Sequence, residues 1–152
     1  MKQVELEAHE VRHAVLVGVG RTLAAHSQHR RPRYVGSITF LGDIVGAVGE
    51  LVVAKALGVY WAPNVGGNDH ATGDVDGLQV RATMRTPPRL PIRETDQPAD
   101  QVFVLVIGQP PGMSIAGWLR AGDAKRAEWW DDRDHEWKVP VDALHEWDVL
   151  FG

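Results

Sequence analysis

Cysteine is absent from the 152 residues of this chain. No disulfide framework, thiolate metal site or cysteine nucleophile is therefore open to it, and the composition fits a reducing compartment. There is no surplus of positive charge either. Lys plus Arg number 16 against 20 Asp plus Glu, a formal net charge of −4. That excludes binding of a polyanion by bulk charge and leaves only a local basic face for such a partner. Long apolar runs are missing as well. The longest uncharged stretch, 101–119, approaches the length of a membrane span, but Gln109-Pro110-Pro111-Gly112 would break a helix there and reads as a turn between two strands. Glu5, Glu7, His9 and Glu10 interrupt any apolar region of a signal peptide. These absences predict a cytoplasmic protein with no membrane partner. What is present is an ordinary globular balance, 44% hydrophobic and 24% charged, in a length that suits one domain with a real core.

Val4, Ala8, Val11, Val15, Val19 and Leu23 recur at three- and four-residue steps and predict an amphipathic first helix. The polar cluster from Ser27 to Arg33 ends it. A second helix is expected from Asp43, a good N-cap, through Ile44, Val48, Leu51, Val52, Lys55 and Leu57 to Gly58. Gly42, Gly46 and Gly49 weaken that helix and point to close approach of another element. Val59-Tyr60-Trp61 reads as a short aromatic strand and 65–70 as loop. Gly73 to Thr83 reads as a hairpin about Asp76-Gly77, the favoured two-residue turn. Strands follow at Leu90–Arg93, Val102–Ile107 (continuously apolar, hence buried on both faces) and Ser114–Leu119. Asp123 is expected to cap a short helix through Trp129, ahead of a strand at Trp137–Pro140 and a last helical turn at Val141–His145. The order argues for a single α/β domain over 1–152, with a mixed central sheet flanked by helices. Residues 1–33 form its N-terminal helix and basic tail, and 41–145 its core.

His9-Glu10-Val11-Arg12-His13 formally matches the zinc-peptidase pattern, two histidines one helical turn apart with a glutamate as base. Arg12 would put a positive charge beside the dication, and positions 16 and 19 are Leu and Val rather than a third ligand. The segment reads instead as a solvated helix face. A second constellation is more coherent. Glu50 stands among Val48, Leu51 and Val52 in the second helix, where a lone acid calls for a partner unless rotation brings it to the wet face. Gln79 and Arg81, two apart, share a face of the strand after the turn, and the turn folds Asp74 back towards them. Two carboxylates and an amide oxygen are hard donors of the kind that holds Mg²⁺ or Mn²⁺. Taken alone, the hairpin also reads as an exposed turn with polar decoration.

Helix Glu followed by D-x(n)-(E/Q)-x-K on a hairpin is the layout that this chain resembles from about Leu41 to Leu144. The stretches that carry the resemblance are Gly46-Ala47-Val48-Gly49-Glu50, Ala54–Trp61, Gly73-Asp74-Val75, Leu78-Gln79-Val80-Arg81, Val102–Val106, Gly117-Trp118-Leu119 and Asp123-Ala124-Lys125. They are similar to the PD-(D/E)XK, restriction-endonuclease-like nucleases, and more narrowly to uncharacterised phage-encoded proteins, which would place the chain in a host cytoplasm. The resemblance implies a metal-dependent nuclease acting on DNA phosphodiesters. Glu50, Asp74 and Gln79 would hold Mg²⁺ or Mn²⁺, Arg81 would stand at the lysine position, and Asp76 would replace Asp74 if the hairpin register shifts.

Two departures bear on activity. Gln79 is neutral and offers one amide oxygen. Arg81 stays protonated, so it can donate to a phosphate but cannot deprotonate a water. A catalytically inactive DNA- or protein-binding module on the same fold is therefore the alternative. With no metal bound, Arg81 is expected to balance Asp74. Arg81, Arg85, Arg89 and Arg93 recur every four residues, and Arg30, Arg31 and Arg33 cluster earlier. Arg81, Arg85 and Arg89 are the candidate nucleic-acid contacts, because phosphate binding needs only such a local patch. A basic edge solvated by water is the plainer reading. Trp118, Trp129, Trp130 and Trp137 are assigned to packing.

Overall fold

Strand β1 (Lys2–Glu5) and helix α1 (Ala8–Ser27) begin the chain. The computed structural model describes residues 1–27, 38–65 and 74–151, and of residues 38–40 the backbone alone. Val4 thus belongs to a strand and not to the first helix. It is buried in an antiparallel pairing with Met113, and the helical step from Val4 to Ala8 is coincidental. Helix α1 starts as soon as its first turn can be capped. Glu10 Oε1 accepts a hydrogen bond from the Glu7 amide at 2.8 Å, one half of a capping box.

Helix α2 (Ile38–Leu57) starts five residues before the expected Asp43 cap. It ends as expected at Gly58, which takes the left-handed conformation (φ 69°). The Gly58 and Val59 amides donate to the Lys55 and Ala54 carbonyls, the paired bonds of a Schellman motif.

The two helices pack along a seam one step away from the expected stripe. Ala14, Val17 and Gly18 are buried on α1, whereas Leu16 and Leu23 are 63% and 62% exposed. Small residues permit this rotation. A Cβ on Gly18 would lie 2.5 Å from the Ile44 Cα, so the backbones meet where larger side chains could not. Of the glycines expected to mark close approach, Gly49 does so, 2.7 Å from the Ala82 Cβ, while Gly42 and Gly46 face open space.

Val59-Tyr60-Trp61 has no regular secondary structure and does not form the expected strand, and residues 66–73 lie outside the described residues, as do Arg30, Arg31 and Arg33. The expected hairpin shrinks to one bridge between Val75 and Leu78 around Asp76 and Gly77, both with positive φ as a type I′ turn requires. It leads into β2 (Gln79–Thr83). The later strands are β3 (Arg89–Arg93), β4 (Val102–Gln109), β5 (Gly112–Arg120), β6 (Trp130–Asp131) and β7 (Glu136–Pro140). Asp123 lies inside a one-turn helix, α3 (Ala121–Ala124), rather than capping a longer one, and Ala127–Trp129 is a separate 3-10 turn. A 3-10 turn at Val141–Ala143 and helix α4 (Asp148–Phe151) finish the chain.

The strands form two sheets. The first is mixed, in the order β1-β5-β4-β2, with β2 parallel to β4 and the other pairs antiparallel. The second, β3-β7-β6, is antiparallel. The α/β class and the mixed sheet are as expected, but its flanks differ. Val80, Val104, Val106 and Ile115 pack with α1 and α2 on one face, whereas Phe103, Leu105 and Leu119 pack with Leu90, Ile92 and Val139 of the second sheet on the other. Strand β4 is buried on both faces between these layers, which accounts for its unbroken apolar run. No helix among the described residues is long and apolar enough to cross a membrane.

Two glycine substitutions should diverge in urea unfolding. Gly18→Ala should cost about 3 kcal/mol through forced helix separation. Gly46→Ala, in open helical space, should gain about 0.5–1 kcal/mol.

Candidate functional site

Glu50 is on the buried side of α2, 7% exposed. Its partner is an arginine that the sequence reading missed. Arg21 Nη1 and Nη2 donate to Glu50 Oε1 and Oε2, each at 2.8 Å, a bidentate pair. Trp61 Nε1 donates to Oε2 at 3.2 Å, and Arg21 Nε donates to the Asn64 carbonyl at 2.9 Å. Burial pushes the Glu50 carboxyl above its usual range, Arg21 pulls it back, and nearby Asp74 raises it further; burial prevails. A signal for Arg21 did exist. It falls three residues after Gly18 and seven after Ala14, on the face where α1 meets α2.

Asp74 lies near enough to Glu50 and Arg21 for its charge to act on both. Its Oδ2 accepts the Val80 amide at 2.8 Å, and its own amide donates to the Leu78 carbonyl. Asp76 is exposed at the turn, where the sequence places it. A cavity of about 320 Å³ opens beside this corner, lined by Tyr60, Trp61, Ala62 and residues 74–77.

Gln79 and Arg81 face the other way. Val80 and Ala82 lie against Gly49 of α2, so their neighbours in β2 point to the second sheet, in register with Phe103 and Leu105. Arg81 does not balance Asp74. Its Nη2 donates to Asp96 Oδ1 at 2.8 Å, and its guanidinium lies 5.1 Å from the centroid of the Phe103 ring. Asp96 Oδ2 also accepts the Arg93 amide at 2.7 Å. Glu136, 8% exposed, lies in the field of Arg81 and forms no ion pair among the described residues. Burial holds its carboxyl above the usual range. Thus Glu50 and Asp74 share the field of Arg21, while Gln79 and Arg81 stand on the side of β2 that faces the second sheet.

The donors fit a divalent cation poorly. Both Glu50 oxygens and one oxygen of Asp74 are already acceptors, and a guanidinium holds the position from which a metal would take Glu50. Among the described residues no group of three or more His, Asp or Glu side chains is placed to hold a metal ion. In the N-terminal motif, Glu10 is bound by Lys55 at 2.6 Å, which lowers its pKa despite partial burial. His9 is exposed beside Glu7, and His13 is exposed with its ring tilted on Trp61 at 5.1 Å. Arg85 and Arg89 are exposed and form no ion pair among the described residues.

Glu50→Ala should destabilise the fold by about 3 kcal/mol, because it strands a partly buried guanidinium. Arg21→Met combined with Glu50→Leu should cost less than the sum of the single changes, as a double-mutant cycle in urea would measure. Glu136 gives a pH test. A carboxyl with a raised folded pKa contributes stability below its unfolded pKa, and that contribution is lost as pH rises through the folded value. Glu136→Gln should therefore raise Tm at pH 7 by about 3 °C, with the gain shrinking towards pH 4 in a calorimetric series.

Comparison with family models, curated proteins and solved structures finds no match to this chain, so its function is read from its own side chains.

Proposed function

We propose that this chain is a DNA-binding module on a nuclease-like α/β scaffold, one that holds its acidic residues in ion pairs and does not cut. The observation that carries the reading is the bidentate hold of Arg21 on both Glu50 oxygens. Metal-dependent cleavage needs anionic oxygens free to replace the waters of a divalent ion. Here a fixed cation has taken that role. The basic residue that would face the phosphate, Arg81, is committed to Asp96 on the far side of the sheet. Arg85 and Arg89, exposed around the β2–β3 connection, are open to a polyanion, and phosphate contacts of this kind position a duplex or a strand without chemistry.

A second reading, a metal-dependent nuclease on DNA phosphodiesters, draws on Asp74, whose charge reaches Glu50. It requires Mg²⁺ or Mn²⁺ to displace Arg21. Calorimetric titration with Mn²⁺ separates the two. The binding module shows no saturable uptake, and Gln79→Glu with Arg81→Lys leaves plasmid DNA intact in a folded variant. Saturable Mn²⁺ binding that is lost in Asp74→Asn and strengthened in Arg21→Gln would overturn the non-catalytic reading. For the interface, Arg85→Ala and Arg89→Ala should each weaken DNA binding about threefold to tenfold at low salt. Each should also flatten the log-affinity against log-salt slope by about 0.9, in fluorescence anisotropy.

A further inference from the structure

Trp129 and Trp130 are both half-buried, and Trp129 packs against the core beside the second sheet while leaving part of its surface open. They line a groove of about 390 Å³ together with Arg89, Asp131, Asp132 and Lys138. Trp130 packs edge-on against Trp137 with centroids 4.8 Å apart, and the Arg126 guanidinium lies 5.0 Å from the centroid of the Trp129 ring. These contacts hold the two rings in place. Neither indole N–H has a hydrogen-bond partner among the described residues.

The charges of the groove are unequally committed. Lys138 Nζ is bound by Asp131 at 2.7 Å and also by Asp134. Asp131 further accepts the Arg133 and Asp134 amides, and Glu128, also in the lining, stands 3.7 Å from Arg126. Arg89 and Asp132 alone have no ionic partner among the described residues. Arg89 is also the end of the connection that carries Arg85, and among the described residues it is the one cation without an ionic partner in a lining that also holds Glu128, Asp131 and Asp132.

We propose that this groove binds single-stranded nucleic acid, its bases stacking on Trp129 and Trp130 while Arg89 holds a phosphate. This rests on the DNA-binding reading above and specifies which form is bound and where. Stacking on aromatic rings is open to unpaired bases and closed to bases inside a duplex, and it tolerates any sequence because every base has a π-face. Two fixed rings beside one unpaired guanidinium supply both halves of such a site. Asp132 opposes it, and that gives the proposal a sign.

The test is fluorescence anisotropy with a labelled twelve-nucleotide oligothymidine and a duplex of equal length, on the full chain. The strand should bind at least tenfold tighter than the duplex. Trp129→Ala and Trp130→Ala should each weaken strand binding about fivefold or more, and Trp129→Phe and Trp130→Phe, which keep a stacking ring and protect the fold, should restore most of it. Arg89→Ala should weaken it, and Asp132→Asn should tighten it about twofold to threefold at low salt. Duplex bound as tightly as the strand, with affinity indifferent to both tryptophans but sensitive to Arg85 and Arg89, would overturn this inference and leave the DNA-binding reading standing. Weaker binding in a folded Asp132→Asn would also overturn it, since removal of a carboxylate from beside a bound phosphate can only relieve repulsion. Binding of neither form would overturn both.

Discussion

The pair between Arg21 and Glu50 sets the arrangement around it. A carboxylate shut between two helices and a sheet is tolerable only with its charge matched and its oxygens bonded, and Arg21 does both at 2.8 Å. To bring Arg21 inside, α1 must turn its small residues Ala14 and Gly18 to α2 and leave Leu16 and Leu23 in water. Gly18 permits the approach that this rotation demands. Trp61 then closes over Glu50, and the Thr22 hydroxyl donates to Asp43 at 2.7 Å one residue further along the seam. Electrostatics here chooses among rotations that hydrophobicity alone leaves open.

The edge strand β2 divides the polar chemistry of the domain into two compartments. Its pleat sends Val80 and Ala82 to the helices and Gln79 and Arg81 to the second sheet. On the helical side, Glu50 is paired with Arg21, and the charge of Asp74 acts on both. On the other, Arg81 lies over Phe103, is bonded to Asp96 and acts on the charge of Glu136. Because a second sheet takes the place of a helical layer there, Arg81 finds a carboxylate partner in the segment after β3 and is not left to face the turn. An arginine with a fixed partner is a structural cation. Arg85 and Arg89, by contrast, are exposed along the connection that leads to the tryptophan groove.

Much of the architecture was legible in local signals. Gly58 ended α2 because a left-handed C-cap needs glycine, Asp76-Gly77 made its turn because both positions take positive φ, and the apolar run of β4 meant burial on both faces. Glu50 was legible as an acid that calls for a partner if helix rotation buries it, whereas Asp74 was expected to face Gln79 and Arg81 and does not pair with Arg81. The legible features are properties of a residue and its neighbours in the chain, so the chain alone suffices to state them.

Only the tertiary structure decided who meets whom. Arg21 and Glu50 are 29 residues apart, and their pairing depends on a helix rotation that three- and four-residue spacing left one step off. Arg81 took Asp96 and not Asp74, because pleat alternation fixes that Gln79 and Arg81 share a face but not which layer covers it. Val4 joined a strand because Met113, far along the chain, offers it an edge. Trp129 and Trp130 read as packing residues from their place near the core, and Trp129 does pack there, but both also line a groove because the 3-10 turn and β6 bring them to the rim of a small sheet. In each case, composition and period set what a residue needs, and the packing of distant segments set what it was given.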